Sequence, residues 1–167
     1  MSAPHLRLGL AALIAGIAIT SAVVSVRAAA SSAPPDDGVV KVRSAYKMAA
    51  TVARLEADIR AKGIAFFGAL DQARLAADAG VSLRPSILLT FGNPALGTLF
   101  LASNPSAGLD WPVRLLVVED DKGLVWAEYT DFAWIARRHH ITDRDAAFQM
   151  ASKVAASIAA SVQAKGQ

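Results

Sequence analysis

The chain has 167 residues, 54% of them hydrophobic and 19% charged, and it holds no cysteine. That composition excludes collagenous and intrinsically disordered classes, and the missing thiols remove disulfides, cysteine nucleophiles, iron–sulfur clusters, Cys-ligated zinc and an acylated lipoprotein terminus. The formal charge of +3 is mild; apart from Arg7 and Arg27, fifteen basic and fourteen acidic side chains remain in residues 31–167. A net +1 gives a nucleic-acid-binding surface no electrostatic footing.

Leu8–Val26 is an uncharged run of nineteen residues, preceded by His5 and Arg7 and followed by Ala28-Ala29-Ala30. A basic start, an apolar stretch and small residues at the end predict a signal peptide over residues 1–30, and so an exported, periplasmic or secreted protein. The run exceeds the roughly 7–15 residues of a usual signal core, so the alternative is an uncleaved anchor through residues 8–26, the chain's one contact with a membrane. Gly9, Gly16, Thr20, Ser21 and Ser25 make it a poor permanent span. Residues 31–38, with Pro34-Pro35-Asp36-Asp37-Gly38, form a polar tether that cannot continue a helix. One domain is expected over residues 39–164.

Within it, Val40 and Val42 alternate with Lys41 and Arg43, which suits a strand with one wet face. Met48, Val52, Leu55 and Ile59 follow at spacings of four, three and four, and Gly63 closes the amphipathic helix they define. Ile64, Phe66 and Leu70 restart a period of two. Asp71–Gly80 reads as a short alanine-rich helix, Ile87–Phe91 as a buried strand and Pro94–Ala102 as another short helix. Val113–Val118 and Leu124–Tyr129 are strands joined by Asp120-Asp121-Lys122-Gly123, a hairpin turn. Phe132–Arg138 looks helical. Thr142-Asp143-Arg144-Asp145 resembles a capping box for a last helix with the stripe Ala147, Met150, Val154 and Ile158. The predicted class is α+β, an antiparallel sheet of about five strands in the order β-α-β-β-β-β-α with helices packed on it.

Chemistry-bearing motifs are sparse. Gly92-Asn93-Pro94-Ala95-Leu96-Gly97-Thr98 imitates a phosphate loop, but it lacks the lysine, and Pro94 deletes a backbone N–H that should face phosphate. Asn93 as helix N-cap and Pro94 at the first helical position explain it locally, although such a helix start can attract a small anion. In Asn104-Pro105-Ser106 the central proline forbids glycosylation. His139 and His140 are adjacent, hence about 100° apart on a helix end, and do not chelate one metal; a cation near the helix C-terminus is their favoured role. No metal or cofactor is expected. Arg114 sits in Val113-Arg114-Leu115-Leu116-Val117-Val118, a strand otherwise apolar on both faces. It needs a partner, from Asp71, Asp110, Glu128, Asp131 or a bound anion. Arg84, beside Pro85, is a weaker case of the same kind. Trp111, Trp126, Trp134, Phe66, Phe67 and Tyr129 either complete the core or wall a cavity. No hydrolase motif is present.

The strings Gly63-Ile64, Leu70-Asp71-Gln72, Leu83–Pro94, Gly97-Thr98, Asn104-Pro105, Gly108–Arg114, Glu119-Asp120, Val125-Trp126, Tyr129–Asp131 and Arg138-His139 stand in the order of a known pattern. On these the chain resembles the bacterial domain of unknown function 302 family, from about Val39 to Ser161. The resemblance implies a compact α+β domain related to the TATA-binding-protein-like β-α-β4-α fold and prone to dimerise. It implies no established activity. Many family members carry Asp-His where this chain has Asp71-Gln72; if that histidine serves as a base in the family, this chain lacks it, and Gln72 is a polar, non-titrating neighbour of Asp71.

Three functions stay open. The first is an exported, non-enzymatic homodimeric module that binds a small, anionic or neutral ligand near Arg84, Asn93, Arg114 and Asp131. The second is a hydrolase- or isomerase-like enzyme using Asp71 or His139, with Arg114 as anion clamp. The third is a structural envelope protein. A shared accessible pocket around Arg114 separates the first two from the third.

Overall fold

A computed structural model describes residues 37–164. Residues 1–36, on which the signal or anchor expectation and most of the tether fall, lie outside the described residues, as do 165–167. The elements in chain order are β1 (Val39–Arg43), α1 (Met48–Ala61), β2 (Ala65–Asp71), α2 (Gln72–Asp78), β3 (Ser86–Gly92) and α3 (Pro94–Ser103). A 3₁₀ turn (Pro105–Leu109), β4 (Val113–Glu119), β5 (Val125–Thr130), α4 (Phe132–Arg138) and α5 (Asp145–Ala160) follow. The fold is α+β, and its five strands form one antiparallel sheet in the order β1-β5-β4-β3-β2.

β2 to β5 make a meander, and β1 joins its far side by pairing Val39 with Thr130 and Arg43 with Trp126. β1 and β2 therefore run parallel at opposite edges, and α1 has to cross one face of the sheet to connect them. That face is apolar by period-two alternation. Leu89, Leu115, Val117, Ala127 and Tyr129 point inward and are buried, while Leu88, Arg114, Leu116 and Glu128 point outward and are not. Leu55 and Ile59 of α1 and Ile158 and Ala159 of α5 close the core from above with no exposed surface. Each large side chain so buried contributes about 1.5–3 kcal/mol. Phe100, Phe132 and Phe148 bring α3, α4 and α5 together, with Phe100 and Phe148 stacked at 4.1 Å between ring centroids.

Three sequence expectations shift. The last helix starts at Asp145 with Arg144 in the capping position and no side-chain cap bond, so the capping box is not used. Its buried residues are Phe148, Ala151, Ala155, Ile158 and Ala159, one residue round from the expected stripe, because the Phe148–Phe100 stack sets the helix rotation. Met150 is left 59% exposed. In β2 a bulge between Phe66 and Gly68 slips the register, and Leu70, in phase with Phe66 by sequence, turns to the outer face.

Candidate functional site

The sheet has two ends, and the predicted site residues are divided between them. Asn93, Arg114 and Asp131 stand at the end formed by the C-termini of β3 and β5 and the N-terminus of β4. Arg84 and Asp71 stand at the other. Arg84 Nε lies 2.8 Å from Asp121 Oδ1 in the hairpin turn, and Asp71 accepts from Arg74 N at 2.9 Å, capping α2. Gln72 accepts from the buried Ser86 hydroxyl at 2.8 Å. The four-residue ligand set expected from the sequence thus does not converge, because β3 separates Arg84 from Asn93 by its full length. Asp131 caps α4 by accepting from Ala133 N, and Asn93 Oδ1 caps α3 by accepting from Leu96 N at 3.3 Å.

Arg114 finds its partner in Asp110. The 3₁₀ turn is held by Asn104, whose Oδ1 accepts from Ser106 N and whose Nδ2 donates to the backbone carbonyl of His139. It delivers the Asp110 side chain, 4% exposed, to the last turn of α4. There Asp110 Oδ2 lies 2.6 Å from His139 Nε2, Arg138 Nη1 donates to both carboxylate oxygens at 3.1 and 3.0 Å, and Arg114 Nη2 donates to Oδ1 at 3.0 Å. His139 is buried, whereas the side chains of Arg138 and Arg114 are 42% and 51% exposed. The His139 ring sits against this buried carboxylate instead of the helix-end carbonyls expected from the sequence, while His140, with φ 51, faces solvent. Arg138 also lies over the Trp134 ring. The recess between Asp110, Arg114, Thr130 and Phe132 measures about 10 Å³, room for about one water. This cluster ties a loop to a helix. Its carboxylate is the anion that Arg114 clamps.

A larger space lies beside it on the inner face. A cleft of about 440 Å³ opens between β3, α3 and α5, walled by Ile64, Phe91, Phe100, Trp111, Phe132 and Val154. Trp111 forms one wall because two glycines let its indole lie flat: a Cβ at Gly97 would stand 1.8 Å from Trp111 Nε1, and one at Gly92 3.1 Å. Phe67 packs edge-on to Trp111, with ring centroids 6.1 Å apart. Asn93 belongs to the lining, with Lys62, Lys153, Ser157 and the exposed Met150. Arg84, Arg114 and Asp131 do not. Sequence reasoning missed Lys153; its one signal was a lysine beside the apolar Met150–Val154 pair of a helix face.

Among the described residues, two ionisable groups are shifted. The Asp120 carboxylate is held below its ordinary 3.8, first by the hydrogen bond from Trp126 Nε1 and then by the backbone N–H of Leu124. Burial, and then the negative charge of Asp131, push the Tyr129 phenol above 10.0. Neither group lines the cleft. Among the described residues no group of three or more His, Asp and Glu side chains is placed to hold a metal ion.

An antiparallel five-stranded sheet with the long helices α1 and α5 on one face and an apolar cleft above its end defines a class of small α+β domain. The chain belongs to the family described as Domain of unknown function DUF302, whose model matches residues 40–164. The fold is similar to the crystal structure of an uncharacterized conserved DUF302 protein from Bacillus stearothermophilus, with a TM-score of 0.69 and 16% identity over 75% of this chain and 98% of that one. Among curated proteins the chain is similar to the Fluoride-specific ion channel FluC 1 of Brucella suis biovar 1 (strain 1330), 39% identical over 106 residues, which are 64% of this chain and 42% of that protein. It is equally similar to the Fluoride-specific ion channel FluC 2 of Brucella melitensis biotype 1, where the match covers 39% of the relative. The chain spans about two fifths of these relatives.

Proposed function

We propose that this domain is a non-enzymatic module that binds a small, largely apolar molecule in the cleft between β3, α3 and α5. The observation that carries the reading is the cleft itself. Its volume of about 440 Å³ falls in the range usual for ligand sites, and its walls are apolar with a few polar groups among them. The enzyme reading loses support, since Asp71 is spent on a helix cap and the Asp110 carboxylate occupies both His139 Nε2 and the Arg114 clamp. Titrating the full chain with the neutral fluorophore N-phenyl-1-naphthylamine should give saturable one-to-one binding that Val154→Trp, which fills the cleft, abolishes without lowering the Tm. Absence of saturable binding, or equal binding by that variant, overturns the reading.

A second part of the reading is self-association through β2. Among the described residues, Phe67, Leu70, Leu75, Val81 and Leu83 are five of the eight large hydrophobic side chains left exposed, and all lie on this edge strand or in the segment that follows it. β2 carries no charge before its last residue, whereas edge strand β1 carries Lys41 and Arg43. An unguarded edge invites pairing, and antiparallel pairing of two β2 strands satisfies a two-fold axis. Sedimentation of the full chain should show a dimer, and Phe67→Lys with Leu70→Lys a monomer; a monomeric parent removes this part. Export rests on the leader-like sequence alone, and the mass of the mature protein recovered from the periplasm tests it. Conduction stays with the Brucella proteins: among the described residues no helix is long and apolar enough to cross a membrane.

A further inference from the structure

We infer that the ligand is an amphiphile with a single anionic head, a carboxylate on an apolar tail, and that Lys153 receives the head; this rests on the cleft being the binding site. The argument is the inventory of polar groups on the lining. It includes two ammonium groups, Lys62 and Lys153, and no carboxylate. Lys62 is committed to Asp58, with its Nζ 2.6 and 2.7 Å from the two carboxylate oxygens. Lys153 makes no ion pair among the described residues, and no acid stands three or four residues away on α5.

The neutral groups agree in sign. Asn93 spends its Oδ1 on capping α3, which leaves its Nδ2 hydrogens, and Trp111 Nε1–H makes no hydrogen bond among the described residues. An ammonium, an amide N–H and an indole N–H are all donors, and the Ser157 hydroxyl on the same lining can donate as well as accept. A cleft whose unspent polar groups can all donate, with one uncommitted positive charge, complements a head that only accepts and carries one negative charge. A neutral alcohol matches less of this set. A doubly charged phosphate monoester wants more than one free cation.

The test is isothermal titration of the full chain at neutral pH with decanoate and with decanol, both kept below aggregation. The wild type should bind decanoate at least about tenfold more tightly, a difference of about 1.4 kcal/mol, and added salt should shrink the gap. Lys153→Met should bind both probes with the affinity the wild type shows for decanol, at an unchanged Tm. Lys62→Met should keep the preference. Equal binding of acid and alcohol by the wild type overturns the inference and leaves the cleft reading standing. A preference that survives Lys153→Met overturns the role of Lys153. Binding of neither probe by a folded wild type overturns the cleft reading and this inference with it.

Discussion

Replacing Asp110 by alanine removes the anion on which His139, Arg138 and Arg114 converge, and burial decides what each loss costs. Arg138 and Arg114 have side chains 42% and 51% exposed, so water takes over their hydrogen bonds and each contributes about 1 kcal/mol or less. His139 is 5% exposed and 2.6 Å from the carboxylate; stripped of its partner it keeps the desolvation cost without the compensation, about 2–3 kcal/mol. The expected sum is about 2–5 kcal/mol, which for a domain of this size is a fall in Tm of about 8–20 °C. Arg114→Ala should lower it by less than about 5 °C. Calorimetry of Asp110→Ala, His139→Ala and the double variant should show a coupling of about 1.5–3 kcal/mol between the two positions. A Tm for Asp110→Ala within about 3 °C of the parent, or additive single effects, refutes the assignment of Asp110 as the buried hub.

Gly97→Ala should destabilise: the helix-propensity gain of about 1 kcal/mol is outweighed by an overpacking cost of about 1–3 kcal/mol, since the new Cβ falls 1.8 Å from Trp111 Nε1. Loss of N-phenyl-1-naphthylamine binding and a shifted tryptophan emission check it. Thr51 is fully buried, donates to the Tyr46 carbonyl at 3.2 Å and lies 2.7 Å from Ser44 Oγ. Thr51→Val strands these partners and should cost about 1–3 kcal/mol in urea unfolding. The Asp120 carboxylate is held below 3.8, so protons prefer the unfolded chain. Its stabilisation is complete above 3.8 and disappears as pH falls through the lower folded value. Asp120→Asn should therefore flatten the loss of stability below pH 3.8, read by Tm against pH; an unchanged acid slope contradicts the assignment.

Local physics made much of the fold legible. The amphipathic helix α1, the hairpin of β4 and β5 with its Asp120–Gly123 turn, and the Asn93-Pro94 helix start each depend on neighbours in sequence, and the structure keeps them, although Thr51 rather than Val52 is buried beside Leu55 and Ile59 in α1. The rotation of α5 was not legible, because it is set by Phe148 stacking on Phe100, 48 positions earlier in the chain. Nor was the slip at Phe66, since a bulge leaves hydrophobic composition unchanged. For the site, the need of Arg114 for an acid was visible and Asp110 was among the candidates. The contact of His139 with that acid, 29 residues apart, is created only when the 3₁₀ turn docks on α4. The cleft was illegible for the same reason: Trp111, Gly97 and Val154 become neighbours by folding alone.

The unequal edges of the sheet set a limit on growth. Joining two copies through β2 consumes the open rim of each, and the ten-stranded product presents at both extremes only β1, with Lys41 and Arg43 on it. Two such rims repel by like charge. If two copies pair through β2 as proposed, assembly by this route closes at two subunits, because the lysine and arginine of a five-residue strand oppose further edge-to-edge growth.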